Sequence, residues 1–464
     1  NKVIPSQQGL KKWLKISNEE YQKRKDRFKL PNLKSAGPAK APHTGTLNNL
    51  VIYIRFKDEN EINTKRKIYD DKLNRLDTTS VKLYYQEVSY NNLIINSTHY
   101  PDCATPADTN ASYEDSHLRG YFKPYNATTN DIGYKTDSEK TEREHQLLFD
   151  AVTWVNANNP VDAGLNIDAD DDGRVDNVCF MIKGDSDGWN DLLWAHRWSL
   201  YSKTININGK RVYGYTFQPE NQVGVRTLCH EMFHALGAPD LYHYDSDYQD
   251  FAPVDDWDIM EQGKGHMGAY MKWKYANQKW IASIPEITAS GTYSLNPLTS
   301  PTGNCWKIAS PNSSTEFFVV EYRKKSGEFE KFIPGEGLIV YRIKSDENGN
   351  ASFDNTSVFD EVYIYRPNGT ISANGITNNA YFSSTSGRTS INDLNTNPKS
   401  FLHDGSAGGL DISNVTNAGA TISFDVYISD VQPPINFEAV GTSTTEIDLT
   451  WQLNEATDNV LLAW

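Results

Sequence analysis

Cysteine is scarce in this chain, and long apolar runs are missing from it. The four cysteines are scattered and form no CxxC pair, which excludes a cysteine zinc cluster. Cys179 lies in an apolar stretch and Cys229 in a helical one, so buried thiols are expected, although an oxidising compartment would also permit disulfides. No apolar run approaches the roughly 20 residues that span a bilayer, so no transmembrane segment is expected. The first residues also lack the charged and then apolar pattern of a signal peptide.

The charge of the chain is unevenly distributed. The net charge is −15, yet residues 1–45 contain eleven Lys or Arg against three acids, which leaves −23 on the remainder. An acidic body repels phosphates, so nucleic-acid binding is not expected. We expect the basic arm to dock on the acidic body of its own chain.

The apolar pattern divides the chain into four predicted parts. A length of 464 residues suggests about three domains, at roughly 150 residues each. Short alternating strands follow residue 284 and indicate a β-sandwich. Beyond the prolines at 433 and 434 the sequence resembles the first two strands of a fibronectin type III domain, which cannot close a sandwich alone. The parts are a basic arm (1–45), a mixed helix and strand domain (46–284), a β-sandwich (285–430) and a truncated fibronectin type III-like domain (431–464).

Individual helices and strands can be placed from local patterns. β-Branched and aromatic residues predict a strand at Leu50–Phe56, and a second strand is predicted at Val175–Gly184. Apolar residues at helical spacing predict helices at Glu142–Val155 and His266–Trp280. The basic arm is predicted to contain a helix at Asn18–Phe28.

The segment HEMFHALGAPDLYH, residues 230–243, carries the chemistry. His230 and His234 lie four residues apart, so both imidazoles project from one face of a helix, and Glu231 leans toward the same side. Two neutral nitrogens on a rigid element with a nearby carboxylate predict a catalytic zinc site. Gly237 lies where the helix must stop, because glycine tolerates the left-handed conformation of such a cap.

A family resemblance follows from the extended pattern. HExxHxxGxPDLY followed by WDIM, Trp257–Met260, resembles the immune inhibitor A family of secreted metallopeptidases, relatives of the metzincins. VKLYYQEVSY, the DxDxDGxxD loop and WAHRW resemble the same family, and the likeness covers roughly residues 46–430. It implies an α+β fold, with a zincin-like catalytic domain of mixed sheet and active-site helix before the β-sandwich. It further implies that residues 1–45 end a propeptide and that Met260 forms a methionine turn beneath the metal.

The resemblance leaves the third zinc ligand open. Metzincins place this ligand six residues after the second histidine, which is Asp240 here. The resemblance to the immune inhibitor A family implies that the third ligand lies nine residues after the second histidine and is usually an acid. That position is His243 here. An imidazole is also a good zinc ligand. The resemblance therefore favours His243 as the third ligand, and Asp240 is the alternative. If His243 binds the metal, Asp240 would orient a histidine or the turn.

The resemblance implies a secreted, monomeric, zinc-dependent endopeptidase made as a zymogen and acting on proteins or peptides. Glu231 would be the general base that takes a proton from water and passes it to the leaving amine. Tyr270 and Tyr275 are candidates for stabilising the oxyanion, although both suit simple packing. The alternative is a cell-surface adhesin or glycan-binding protein with an inactive peptidase-like scaffold, which the β-rich parts and exposed aromatics would suit.

An acidic loop precedes the predicted strand at residue 175. Its carboxylates occupy positions one, three, five and nine of an EF-hand-type loop, with Gly173 at position six. Position twelve is Cys179, so the usual bidentate glutamate is missing, and a plain solvated turn stays possible. The pattern predicts a structural Ca²⁺ site formed by Asp168, Asp170, Asp172, the Arg174 carbonyl and Asp176.

Overall fold

The computed structural model describes residues 41–188, 191–243, 251–350 and 360–428, together with the backbone of two strands after residue 434. The predicted helix Asn18–Phe28 and most of the basic arm lie outside the described residues. Within the described part, no helix is long and apolar enough to cross a membrane.

A mixed six-stranded sheet forms the centre of the first part. Its strands run in the order β2-β1-β4-β8-β5, and β3 pairs with the end of β1 beyond β2. All pairs are parallel except β5 with β8, so β5 is an antiparallel edge strand. The strands are β1 Gly45–Phe56, β2 Leu93–Tyr100, β3 Tyr113–Asp115, β4 Asn177–Ile182, β5 His196–Ser199 and β8 Gly214–Pro219, with a small hairpin of β6 Asn206–Ile207 and β7 Lys210–Arg211 between the last two.

Strand β1 is buried on both faces, as parallel strands in the middle of a layered fold are. Leu47, Val51 and Tyr53 belong to one apolar core, whereas Leu50 and Ile52 belong to the other. This alternation places helices on both sides of the sheet. They are α1 Arg66–Asn74, α2 Val81–Val88, α4 Val225–Ala235 and α5 Ala269–Tyr275 on the first side and α3 Asp137–Asn158 on the second.

The β-rich part contains two antiparallel-dominated sheets. The larger has the order β14-β13-β12-β11-β9, and the smaller has the order β10-β16-β15. Phe318 and Val340 of the larger sheet and Phe424 of the smaller sheet belong to one buried core. The strands are β9 Glu286–Ile287, β10 Gly291–Leu295, β11 Cys305–Ala309, β12 Glu316–Arg323, β13 Gly337–Lys344, β14 Val362–Ile364, β15 Ile412–Ser413 and β16 Ile422–Val426; β17 Ile435–Gly441 and β18 Ile447–Gln452 form a separate antiparallel pair.

The other face of the larger sheet packs against the first part. Val319, Ile339 and Tyr341 are buried in the same core as Phe233 of α4 and Met271 of α5. The predicted boundary at residues 284 and 285 therefore crosses a continuous apolar core. The limits of the four parts stay predictions, but the helix of the histidine motif and the β-rich strands are packed together.

The α+β prediction is confirmed in that the described structure mixes several sheets with few helices, and the zincin-like character of the first part stays a prediction. The sandwich and fibronectin type III assignments stay predictions. The helix predicted at His266–Trp280 is shorter, Ala269–Tyr275, because Asn277 and Gln278 have φ of 50° and 61° and turn the chain out of the helix. The four cysteines are free thiols, and three of them are buried.

Candidate metal centre

Helix α4, which carries both histidines, ends in the turn that the sequence indicates. Gly237 has φ of 104°, and its N–H donates to the His234 carbonyl at 2.9 Å. The next N–H, of Ala238, donates to Phe233 O at 3.0 Å. These two bonds form a Schellman motif, which satisfies the last carbonyls of the helix and reverses the chain. The reversal directs Pro239 and Asp240 back over the histidine face.

Three possible ligand atoms meet at this face. Asp240 Oδ1 lies 3.0 Å from His230 Nε2 and 3.1 Å from His234 Nε2, and the two nitrogens are 3.1 Å apart. Asp240 is 6% exposed and His230 9%. A tetrahedral zinc with bonds of about 2.0–2.1 Å separates its ligands by about 3.3–3.4 Å. The cluster is thus within a few tenths of an ångström of the spacing that zinc requires.

Backbone carbonyls fix the orientation of both imidazoles. His230 Nδ1 lies 2.9 Å from Ile259 O, and His234 Nδ1 lies 2.7 Å from Ala238 O. A carbonyl only accepts, so each Nδ1 carries the proton and each Nε2 lone pair points to the cluster. This second-layer support is what metal-binding histidines require.

Electrostatics at the cluster favour a cation. Burial by itself would lower the pKa of His234, but the Asp240 carboxylate outweighs burial and raises that pKa to about 9. Burial alone would raise the pKa of Asp240, yet the two imidazoles hold it well below its usual range. A metal ion would replace the proton that the carboxylate draws onto the imidazole.

The structure does not bring His243 to this cluster. Its Nε2 lies 2.5 Å from Asp360 Oδ1, and its ring stacks on Phe251 with centroids 5.8 Å apart. His243 therefore faces a carboxylate from the β-rich part, 117 residues later in the chain. The family resemblance favours His243 as the third ligand, whereas the geometry groups Asp240 with the two histidines.

The segment Trp257–Met260 contacts the cluster through backbone carbonyls. Ile259 supplies the carbonyl that holds His230, and Met260 O accepts the Leu241 N–H at 3.0 Å. Met260 is fully buried. Arg226, near the start of α4, donates to the carbonyls of Glu261 and Gly263. The segment thus connects the helix of the two histidines to the loop of Asp240.

Glu231 is 7% exposed and lies on α4 beside His230. Among the residues that the structure describes, its carboxylate makes no hydrogen bond. The candidates for oxyanion stabilisation are placed elsewhere, because the Tyr270 and Tyr275 hydroxyls donate to Glu361 at 2.8 and 2.5 Å. Of Glu231, Tyr270 and Tyr275, only Glu231 has a side chain without a hydrogen-bond partner among the described residues.

His196 on edge strand β5 is locked by a partner that the sequence did not indicate. Its Nε2 lies 2.9 Å from the buried Glu144 and its Nδ1 lies 2.6 Å from Trp194 O. Burial alone would lower the pKa of His196, but Glu144 outweighs burial and raises it. Glu144 follows the helical pattern of α3, so no local signal marks it. The pair fixes the edge strand to α3.

The acidic loop gathers part of its predicted ligand set. Oxygens of Asp168, Asp170 and Asp172 lie within 4.8 Å of one another. Asp168 also accepts the N–H groups of Asp172 and Gly173 and pairs with Lys210 at 2.6 Å.

The remaining predicted carboxylate of the loop lies beside the gathered set. Burial, followed by repulsion from the neighbouring aspartates, raises the pKa of Asp176 to about 7. The Asp176 carboxylate accepts the Ala169 N–H at 3.1 Å. The loop thus concentrates negative charge, and Lys210 and Arg174 are cations beside it.

The part of the chain that contains the site matches a known peptidase family. Residues 170–274 match the family described as immune inhibitor A peptidase M6, catalytic domain. These residues include the acidic loop from Asp170 onward, the histidine motif and the Trp257–Met260 segment. The resemblance to this peptidase family that the sequence indicates is thereby confirmed for the matched residues.

One particular relative supports the same class. The chain is 32% identical over 111 residues to Immune inhibitor A of Bacillus thuringiensis subsp. alesti, and the match covers 20% of this chain and 16% of that protein. A crystal structure of wild-type OgpA from Akkermansia muciniphila aligns over 69% of this chain and 90% of its own, at 10% identity and a TM-score of 0.27. A likeness that low carries no argument about fold or function.

We expect Asp240→Ala to lower zinc affinity much more than His243→Ala. Removal of Asp240 deletes an atom that meets both imidazole nitrogens, whereas His243 is committed to Asp360. Outer-layer partners of metal ligands typically contribute 10–100-fold to metal affinity, so the His243 effect should not exceed that range. Competition with a chromophoric chelator measures both constants. A larger loss in His243→Ala would return the third-ligand position to His243.

Proposed function

We propose that this chain is a secreted, zinc-dependent endopeptidase, with His230, His234 and Asp240 as metal ligands. The single observation that supports it most is the meeting of two Nε2 atoms and one carboxylate oxygen at 3.0–3.1 Å. Each group is oriented by its surroundings, and three protein ligands leave a fourth position open, as catalytic zinc sites do.

The chain's own residues would then perform the proton transfers. Zinc, when bound, supplies a Lewis acid that brings the pKa of water to about 7 and polarises the scissile carbonyl. Glu231 accepts a proton from the attacking water and delivers it to the leaving amine. Its uncommitted carboxylate and its place beside His230 suit that task.

Strand β5 offers a place for the substrate backbone. It lies beside α4, and one of its edges pairs with β8 while its other edge pairs with no strand in the described part of the chain. An extended peptide can add to such an edge through backbone hydrogen bonds. The Glu144–His196 pair would hold this edge in place for substrates that are proteins or peptides.

The acidic loop is proposed as a structural Ca²⁺ site. Asp168, Asp170 and Asp172 are close together and Asp176 lies beside them, directly before β4 of the central sheet. Hard oxygen ligands of this kind suit calcium. Lys210 occupies one Asp168 oxygen, so calcium must displace this lysine or bind through the remaining oxygens.

The zymogen proposal needs a precise boundary. Ala41 N–H donates to Ala235 O at 3.0 Å, and His43 Nε2 donates to Leu236 O at 2.8 Å. Trp280 in turn donates to His43 O at 2.8 Å. Residues 41–43 therefore satisfy carbonyls at the end of the metal-binding helix. A removable propeptide must end before Ala41.

The rival function, an adhesin or glycan-binding protein on an inactive scaffold, is not favoured. The segment that matches a known family is its catalytic domain, and its His230, Glu231 and His234 set is intact. The rival predicts no activity under any condition, which makes the two proposals easy to separate.

Glu231→Gln is expected to lower casein hydrolysis by at least about 10²–10⁴-fold, because general acid–base catalysis contributes that much. Zinc content should stay near one equivalent per chain, since Glu231 is not a ligand. Glu142→Gln, an exposed substitution on α3, is the matched control and should retain activity. Full activity in Glu231→Gln would refute this mechanism.

Calcium should raise the melting temperature of the protein, and Asp170→Asn or Asp172→Asn should reduce that rise. Both side chains occupy ligand positions of the loop. Asp171→Asn is the control within the same loop, since position four supplies no ligand and asparagine tolerates its φ of 58°. Equal calcium responses in all three variants would show that the loop is a plain solvated turn.

A chain that starts at Ala41 should be more active than the full chain, because it lacks the basic arm and keeps the helix contacts. A chain that starts at Gly45 should be less stable than the Ala41 chain by about 1–3 kcal/mol, the usual cost of unsatisfied buried carbonyls. Thermal unfolding and casein hydrolysis of the three chains measure both effects. Equal activity of the full and Ala41 chains would remove the propeptide from the proposal.

A further inference from the structure

The loop that carries Asp240 is held from two sides. On one side, the Leu241 N–H donates to Met260 O at 3.0 Å. On the other side, Asp240 O accepts the Asn350 N–H at 3.2 Å, and Leu241 O accepts Asn350 Nδ2 at 3.0 Å. The second set of bonds comes from the turn after strand β13. The β-rich part therefore contacts the backbone of the proposed third ligand directly.

Asn350 is specified by its own hydrogen bonds. The side chain is fully buried. Its Nδ2 also donates to Val362 O at 2.6 Å, and its Oδ1 accepts the Val362 N–H at 2.9 Å. Both amide hydrogens and the amide oxygen thus make hydrogen bonds. One of the two hydrogens is donated to the Asp240 loop, at Leu241 O. Aspartate would lack both donors at this position, and alanine would lack all three bonds.

Gly349 brings this turn close to the loop. Its φ is +82°, and a Cβ added there would lie 2.6 Å from Pro239 Cβ and 2.9 Å from Asp240 O. Only glycine fits both the backbone conformation and the approach. The turn is therefore shaped to touch Pro239 and Asp240.

The buried carboxylate of Glu361 holds the turn of Gly349 and Asn350 in place. Glu361 accepts the Gly349 N–H at 2.5 Å, and it is the acceptor for Tyr270, Tyr275 and Lys274 of helix α5. Glu361 is fully buried, so these bonds are costly to break. The two tyrosines considered for oxyanion stabilisation serve here instead.

We propose that Asn350 is a positioning residue for Asp240, which sets the distance between the third ligand and the two histidines. This rests on the proposed function, since it assigns Asp240 to the metal. Asn350 acts on the backbone of Asp240 and Leu241, and the Met260 carbonyl fixes the opposite side. The His243–Asp360 pair anchors the same loop two residues beyond Leu241. The metal centre is thus completed by the β-rich part.

The test measures zinc affinity in the full chain. Asn350→Ala should weaken zinc binding by about 10–100-fold, the range for residues that orient metal ligands, and excess zinc should restore part of the lost casein hydrolysis. Gly349→Ala is a second variant that disturbs the same loop by contact, and it should weaken zinc binding similarly. The absorption spectrum of the Co²⁺-loaded protein reports ligand geometry and should change in both variants.

Asn304→Ala is the matched control. Asn304 is also a buried asparagine of the β-rich part, and its Nδ2 donates to Ser300 O and to Tyr90. This variant loses two side-chain hydrogen bonds, and neither partner, Ser300 or Tyr90, belongs to the Asp240 loop. We expect it to lower the melting temperature without changing zinc affinity or the Co²⁺ spectrum.

The variant Asp240→Ala distinguishes failure of the positioning role from failure of the proposed ligand assignment. If Asp240→Ala loses zinc and the folded Asn350→Ala and Gly349→Ala proteins bind zinc like the unmodified chain, positioning by this turn is refuted and the proposed function stands. If Asp240→Ala itself binds zinc normally, the ligand assignment fails and the positioning role fails with it. A loss of affinity in Asn304→Ala equal to that in Asn350→Ala would also refute positioning, because the effect would then be one of stability.

Discussion

The meeting of one carboxylate with two imidazoles is the constraint on which the rest of the structure depends. Asp240 and Glu231 are both buried, at 6% and 7% exposure, and ionised carboxylates in such surroundings are unfavourable without a compensating cation. The Asp240 carboxylate raises the pKa of His234 and so favours a proton on that imidazole. A divalent ion compensates two carboxylates more fully than one proton. The centre is therefore electrostatically suited to a metal before any family likeness is considered.

Each neighbouring element removes one freedom from this cluster. The Schellman motif at Gly237 sends the chain back over α4. The Ile259 and Ala238 carbonyls select the tautomers of the two histidines. Ala41 and His43 satisfy the end of the same helix. Weak individual contacts thus act together, because all of them are made to backbone atoms within a few residues of the ligands, and small displacements matter at a metal centre.

What the sequence could predict was the local part of the site. The spacing of His230 and His234 and the stop at Gly237 follow from helix geometry, so neither needs knowledge of the fold. The choice between Asp240 and His243 does not follow from helix geometry, since it depends on the path of the chain after the turn. His243 is committed to Asp360, 117 residues away. The helix at Glu142–Val155 was predictable for the same local reason, whereas its Glu144 contact with His196 spans 52 residues.

The β-rich part is best regarded as structural support of the candidate metal centre. Arg323 on β12 is fully buried and donates to Trp257 O at 2.8 Å, at the start of the Trp257–Met260 segment, and to His266 O at 3.2 Å, beyond its end. Glu330 neutralises it at 2.6 Å. A buried ion pair contributes little net stability, so its effect here is to fix backbone positions. The residues of the family match, 170–274, contain the proposed ligands but not this guanidinium, so a contact that fixes the Trp257–Met260 segment comes from outside the matched residues.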